Sequence, residues 1–167
     1  MDLYPWIVFA HVTGVLLFFI AHGTSMAVAF RLKRERDPAR VRALLDLSSW
    51  TLGVWPLVAL VVGLVAGIAA GIAGGWFGQA WIWISLVLLV LISGAMTPMG
   101  AGRLNAVRAA AGTRAIDPFS RRPPEPPPGE DVAALEQALA AWDPRPGALM
   151  GFGGFVIILW LMFFKPF

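Results

Sequence analysis

Residues 47–102 read LSSWTLGVWPLVALVVGLVAGIAAGIAGGWFGQAWIWISLVLLVLISGAMTPMGAG, and none of them carries a charge. A helix of roughly 20 apolar residues crosses a bilayer, so this stretch is too long for one crossing and predicts a hairpin of two. Glycines and a polar residue at 74–79 suit the turn, and the nearby tryptophans suit the headgroup region. The two predicted spans are residues 50–73 and 80–99.

Two more apolar runs flank this hairpin, at residues 5–30 and 147–164. The chain has 167 residues, of which 58% are hydrophobic and 14% are charged. This composition leaves too much apolar surface for a small water-soluble globule. The sequence therefore predicts an all-α membrane protein, a four-transmembrane-helix bundle in a single domain. The first run lacks a basic n-region and a small-residue cleavage site, so we expect it to be retained as a span.

The basic residues predict the orientation of the bundle. Of the 13 Lys and Arg residues, six lie in the loop after span one and six in the loop after span three, and only Lys165 lies elsewhere. The positive-inside rule places both loops in the cytoplasm, and an even number of spans places both termini outside. We therefore expect a multi-pass, N-out, C-out protein of a bacterial cytoplasmic (inner) membrane. Charges that flank spans do not predict a nucleic-acid partner.

The two cytoplasmic loops contain short patterned segments. Residues 38–47 are amphipathic and predict a short helix along the membrane surface. The loop 103–146 is Pro-rich at 121–129, which predicts an extended, polyproline-like spacer. Residues 130–142 then show the apolar spacing of one helical face, so we expect a short helix that docks on the bundle or the membrane.

Small residues recur every fourth position in two of the spans, at Gly63, Gly67, Gly71, Gly147 and Gly151. In lipid, helices associate through close packing, and small residues at this spacing form a flat ridge that permits it. Two interpretations are open. The ridge packs against other helices of the same bundle, or it forms an interface with a second copy or with a subunit of a membrane complex.

Two histidines are the candidate functional residues. His11 and His22 are the only histidines and both lie in span one, where a spacing of eleven places them on one face, roughly 16 Å apart. Imidazole is a common axial haem ligand, whereas the competing interpretation is a hydrogen bond to a neighbouring helix. Met26 and Met96 are candidate second ligands of haem b or Cu(I), although methionine is also ordinary filler in apolar helices.

Several classes of chemistry are excluded or disfavoured. The absence of cysteine excludes disulfides, thiolate metal sites and cysteine nucleophiles. No charged residue lies inside a predicted span, which disfavours ion-coupled transport. The sequence also lacks a phosphate-binding glycine loop and a His-Glu-x-x-His zinc helix. These absences favour a role that is not enzymatic.

Span one begins Trp6-Ile-Val-Phe-Ala-His11-Val-Thr-Gly14 and is followed by a basic loop. It resembles the first helix of small bacterial four-helix membrane proteins that include the copper-resistance D and HemJ-like families. The resemblance covers spans one to three, and its matched motif is His11 with Gly14. It implies a four-helix membrane fold and, from the HemJ-like members, a haem ligand at His11. The second ligand region and the basic residue of later HemJ-like helices are missing here.

Two functional hypotheses follow from the sequence. The first is a non-catalytic bundle or accessory subunit of a membrane complex, with the lipid bilayer and neighbouring subunits as partners. The alternative is a haem- or copper-binding membrane protein that uses His11, with His22 second, in a redox or homeostasis role. The sequence specifies no cofactor, and haem b is a candidate because imidazole is a common axial haem ligand.

Overall fold

The computed structural model describes residues 2–51, 53–96, 102–116, 129 and 131–167, and these residues form helices and turns without a strand. The elements are α1 (Tyr4–Arg34), α2 (Pro38–Thr51), α3 (Val54–Ala73), a 3₁₀ turn (Trp76–Gly78), α4 (Ala80–Met96), α5 (Arg103–Ala110), α6 (Val132–Ala141) and α7 (Arg145–Phe164). The fold is therefore all-α, as the sequence predicts.

Three segments are long and apolar enough to cross a membrane, namely α1, the stretch Pro38–Ala73 and α7. Helix α4 is equally apolar over the 17 residues that the structure describes, Ala80–Met96. Large apolar side chains are exposed along these helices, and Val90, Leu149 and Phe163 are each at least 70% exposed. A surface of this kind is stable in lipid rather than in water, so the helices have the exterior of a membrane protein.

The long helices pack as two pairs, α1 with α3 and α4 with α7. Gly14 and Gly63 face each other where α1 crosses α3. A Cβ atom built on Gly14 would lie 2.6 Å from the Gly63 nitrogen and 2.9 Å from the Ala59 carbonyl oxygen. A real Cβ does not approach backbone so closely, so the crossing requires glycine. Close contact of this kind is what holds helices together in lipid.

The turn between α3 and α4 lies at residues 74–79, where the sequence predicts the hairpin break. Gly75 adopts a φ of 69°, a left-handed conformation that glycine adopts without steric cost. The Trp83 indole nitrogen then donates to the Phe77 carbonyl oxygen at 3.0 Å, which ties the start of α4 back to the turn. This turn, the start of α1 and the end of α7 lie together at one end of the bundle. We call it the hairpin end.

The largest buried core lies at the opposite end of the molecule. Apolar side chains from the end of α1 and from α2, α5 and α6 pack together there, and we call these elements the helical cap. The core consists of Val28, Ala29, Leu32, Val41, Leu45, Leu104, Val107, Ala111, Leu135, Leu139 and Trp142. The core of the cap thus joins the end of α1 to three short segments by mutual contact of apolar side chains.

Arg108 fastens α5 to α2 inside the cap. The side chain is only 2% exposed, and its Nη2 donates to the Leu45 carbonyl oxygen and to the Ser48 hydroxyl oxygen. Burial lowers the pKa of Arg108, because desolvation disfavours the charged form, and Asp46 partly offsets the shift. Through these two hydrogen bonds, Arg108 joins α5 to α2.

Two features differ from the sequence-based prediction. Helix α2 runs to Thr51, beyond the predicted surface helix at 38–47, and α3 begins only after Gly53. The loop after span three also contains α5, a helix that the sequence pattern does not predict. Its eight residues include only two large apolar side chains, Leu104 and Val107, and two are too few to reveal a helical period. The predicted spacer, apart from its last residue, and the predicted last three residues of span three lie outside the described residues.

Gly14→Ala should lower the melting temperature of the detergent-solubilised protein, because the new methyl group would meet the Gly63 backbone. Gly23→Ala on the same helix is the matched control, since a Cβ there meets nothing within 4 Å. Alanine favours a helix over glycine by about 1 kcal/mol, so the control should keep or raise the melting temperature. Equal melting temperatures for the two variants in a thermal unfolding assay would contradict the close crossing.

Candidate functional site: a cavity between the helix pairs

A cavity of about 270 Å³ lies between the α1–α3 pair and the α4–α7 pair, towards the hairpin end. Apolar side chains of all four helices and of the 3₁₀ turn form most of its walls. Polar groups enter it from His11 in the wall and from Tyr4, Trp76 and Lys165 at the hairpin end. Concave apolar sites with a few placed polar groups are typical of small-molecule binding sites.

His11 is held against α3 by a hydrogen bond and by a glycine. Its Nδ1 lies 2.7 Å from the Gly63 carbonyl oxygen. Because a carbonyl oxygen only accepts, Nδ1 carries the proton in this contact and Nε2 of the neutral ring keeps its lone pair. A Cβ built on Gly67 would lie 2.7 Å from Nδ1, so the imidazole fills the space that this glycine leaves. No described residue hydrogen-bonds Nε2, and the ring lines the cavity.

Aromatic rings and one cation surround the cavity at the hairpin end. The Trp76 indole nitrogen donates to the Tyr4 hydroxyl oxygen at 3.4 Å. Lys165 Nζ lies 3.8 Å from the centroid of the Trp76 ring and 5.9 Å from that of the Trp81 ring, a cation–π arrangement. The Trp81 indole nitrogen is buried and has no acceptor among the described residues. This end therefore holds two donors, the Lys165 ammonium, which forms no ion pair among the described residues, and the Trp81 indole N–H.

His22 lies in a different environment, at the contact between α1 and α7. Its ring centroid is 5.3 Å from that of Phe152. Gly151 leaves the space for this ring, since a Cβ built there would lie 2.8 Å from His22 Cε1 and 3.2 Å from Met96 Cε. The Nε2 atom of His22 is buried and has no hydrogen-bond partner among the described residues. His22 is thus a packed residue of the helix contact rather than part of the cavity wall.

The two histidines share a face of α1 but do not share a site. His11 contacts α3, whereas His22 contacts α7 roughly 16 Å further along the helix axis. Of the two methionines predicted as ligands, Met96 comes beside the His22 ring, and Met26 is half-buried on α1. Among the described residues, no group of three or more His, Cys, Asp or Glu side chains could hold a metal ion.

The span-two glycine ridge packs within the chain. Each of its three glycines leaves space for a neighbour that a larger side chain would displace. The contacts are Gly63 with Gly14, Gly67 with His11, and Gly71 with Phe77 and Ile82. The ridge therefore has intramolecular partners along its whole length, and one of these partners is the candidate functional histidine.

The span-four glycines divide into packed and open positions. Gly151 receives the His22 ring, but a Cβ built on Gly147 would meet nothing within 4 Å. Gly154, which the spacing of four does not include, receives Ile92 of α4 instead. The close contacts of α7 thus follow positions 151 and 154, a spacing of three.

Sequence reasoning missed most of the residues at the hairpin end. Tyr4 and Trp81 read as ordinary interfacial aromatics, because the sequence does not show which of them meet in space. Lys165 did carry a signal, since it is the only basic residue outside the two basic loops. Its isolation from the other basic residues bears on the orientation of the spans, but it does not by itself predict a binding site.

No family model, no curated protein and no solved structure matches this chain. The resemblance of span one to copper-resistance D and HemJ-like proteins therefore stays a prediction from the sequence. The features that bear on function are the chemistry of the cavity, the contacts of His11 with Gly63 and Gly67, and the two donors at the hairpin end.

The tautomer of His11 is directly testable by ¹⁵N NMR of the histidine side chains, with His22→Gln used for assignment. We expect His11 to carry its proton on Nδ1, because that atom faces the Gly63 carbonyl oxygen at 2.7 Å. Gly67→Ala should abolish this signature by displacing the ring, and Gly23→Ala should leave it intact. A neutral His11 protonated on Nε2 in the unmodified protein would contradict the hydrogen bond from Nδ1 to the Gly63 carbonyl oxygen.

Proposed function

We propose that this protein binds a small lipophilic molecule in the cavity between its helix pairs, as a non-catalytic binding protein or accessory subunit of a membrane complex. The observation that carries the proposal is the cavity of about 270 Å³ with apolar walls and a fixed imidazole in one wall. Apolar walls accept a molecule that partitions into lipid, and His11 adds one polar group to a wall that is otherwise mostly apolar.

The proposal includes four spans in a bacterial inner membrane, with both termini outside. Helix α4 supports the fourth span, because 17 residues is the lower end of the range that crosses a bilayer and α4 packs along α7. The basic residues of the helical cap support a cytoplasmic position for the cap. The cavity, which is lined by residues of the hairpin end, then lies in the outer half of the bilayer.

The polar groups of the cavity support binding better than catalysis. The described residues that line it include one imidazole, the hydroxyls of Tyr4 and Ser85, and Lys165, but no carboxylate. The Ser85 hydroxyl already donates to the Trp81 carbonyl oxygen at 2.8 Å, so it is not poised as a nucleophile. A single neutral acceptor that is held by its backbone contact can orient a ligand without transforming it.

A haem- or copper-binding role through His11 is the second candidate. It is favoured by the bond from Nδ1 to Gly63, because ligating histidines commonly donate their second ring N–H to a carbonyl. Met162 also lines the cavity and is a thioether of the kind that can ligate haem or Cu(I). His11 would therefore supply one bond to a haem iron or to Cu(I), and Met162 is the candidate for a second. The cavity volume is below the roughly 300–1,000 Å³ typical of ligand sites and suits a smaller molecule than a porphyrin.

Filling the cavity should abolish co-purification of a lipophilic ligand. Leu86 lines the cavity on α4, and Leu91 lies on the same helix but is 63% exposed. We expect solvent extracts of the purified protein, analysed by mass spectrometry, to contain a bound lipophile that Leu86→Trp depletes severalfold and Leu91→Trp retains. Equal amounts in the two variants, or none in the unmodified protein, would overturn the proposal.

The absorption spectrum of the same preparation separates the two candidate functions. The haem alternative requires a reduced-minus-oxidised haem band that His11→Ala removes. A colourless protein that still carries a lipophilic molecule supports the binding role instead.

Cysteine labelling tests the orientation, because the chain contains no native cysteine. Gln79 in the hairpin turn and Arg114 after α5 are both exposed. With a membrane-impermeant thiol reagent on intact cells, Gln79→Cys should react and Arg114→Cys should not until the cells are permeabilised. The reverse pattern would place the helical cap outside and contradict the proposed topology.

A further inference from the structure

We propose that the ligand is a single-chain amphiphile with a carboxylate head group, which Lys165 and Trp81 hold at the hairpin end while the chain lies along the cavity. This inference rests on the proposed function and specifies its ligand class. It is carried by the charge at the hairpin end, by a buried donor without an acceptor, and by the size of the cavity.

Lys165 supplies the charge. It lines the cavity and lies over the Trp76 ring at 3.8 Å, and no carboxylate among the described residues pairs with it. Asp2 belongs to the same end of the bundle, where its Oδ1 accepts the backbone N–H of Tyr4 at 3.0 Å, and it forms no ion pair with Lys165. A cation in this position attracts an anion that enters from the membrane interface.

Trp81 supplies the second donor. The residue is 6% exposed and lines the cavity, and its indole nitrogen has no acceptor among the described residues. A buried donor without a partner is destabilising, and an incoming acceptor would relieve that cost. Because Lys165 Nζ lies 5.9 Å from the centroid of the Trp81 ring, an anion on the ammonium also lies close to the indole.

These features favour a carboxylate on a single chain. The two oxygens of a carboxylate match two donors, one an ammonium and one an indole N–H. Below the donors the walls are mostly apolar as far as Phe18 and Leu89, with His11 and Ser85 as their polar members, and such walls suit an alkyl chain. A volume of about 270 Å³ favours one chain over the two chains of a phospholipid.

Native mass spectrometry of the full chain in detergent, titrated with palmitic acid or with hexadecanol, tests the proposal. These probes have the same chain length and differ in head-group charge. We expect palmitic acid to bind roughly tenfold more tightly than hexadecanol, as a charged hydrogen bond allows. Lys165→Met should remove this preference, and Trp81→Phe should reduce it while keeping an aromatic ring. Arg145→Met is the matched control, because it removes an exposed charge from the other end of α7.

Each outcome bears on a different part of the argument. Equal binding of acid and alcohol to the unmodified protein would overturn the carboxylate head group but leave lipophile binding intact. Equal losses in Lys165→Met and Arg145→Met would overturn the placement of the head group, since net charge alone would then explain the preference. Failure of both probes to bind, together with the absence of any co-purified lipophile, would overturn the proposed function itself.

Discussion

The close approach of α1 to α3 at Gly14 and Gly63 is the constraint on which the rest of the bundle depends. It brings the backbones near enough for the His11 imidazole to reach the Gly63 carbonyl oxygen at 2.7 Å. That oxygen can accept this second bond because a carbonyl has two lone pairs. One turn further along, Gly67 leaves the space that the ring occupies. Helix packing and the orientation of the candidate ligand-binding histidine therefore have the same cause.

The two ends of the molecule differ in how much apolar surface they bury. The helical cap has an apolar core of eleven buried residues, and the buried Arg108 joins two of its helices. The hairpin end has only a small cluster of Trp81, Ile82 and Leu161, with aromatic neighbours around it. The core of the cap includes the end of α1 but no residue of α3, α4 or α7, and the cavity lies at the other end, where less apolar surface is buried.

The sequence predicts the apolar helices, the hairpin turn and the glycine spacing, because each depends on local composition and period. It does not predict α5, since Leu104 and Val107 acquire their role only when the core of the cap forms around them. It also places His11 and His22 on one face without showing that α3 meets the first and α7 the second. Which helix lies opposite a residue depends on crossing geometry, and no local pattern contains that information.

In a bilayer the few polar groups of the cavity matter more than its apolar walls. A lipophilic molecule that moves from lipid into the cavity exchanges one apolar environment for another, so burial of its chain contributes little to affinity. Selectivity must then come from polar atoms that find partners in the protein but not in the hydrocarbon. The described cavity wall offers such partners at two depths, the His11 ring within the span and Lys165 with Trp81 at the hairpin end. The His11 ring lines an apolar cavity, where the low dielectric constant gives a single lone pair a large effect, whereas Lys165 is exposed at the hairpin end.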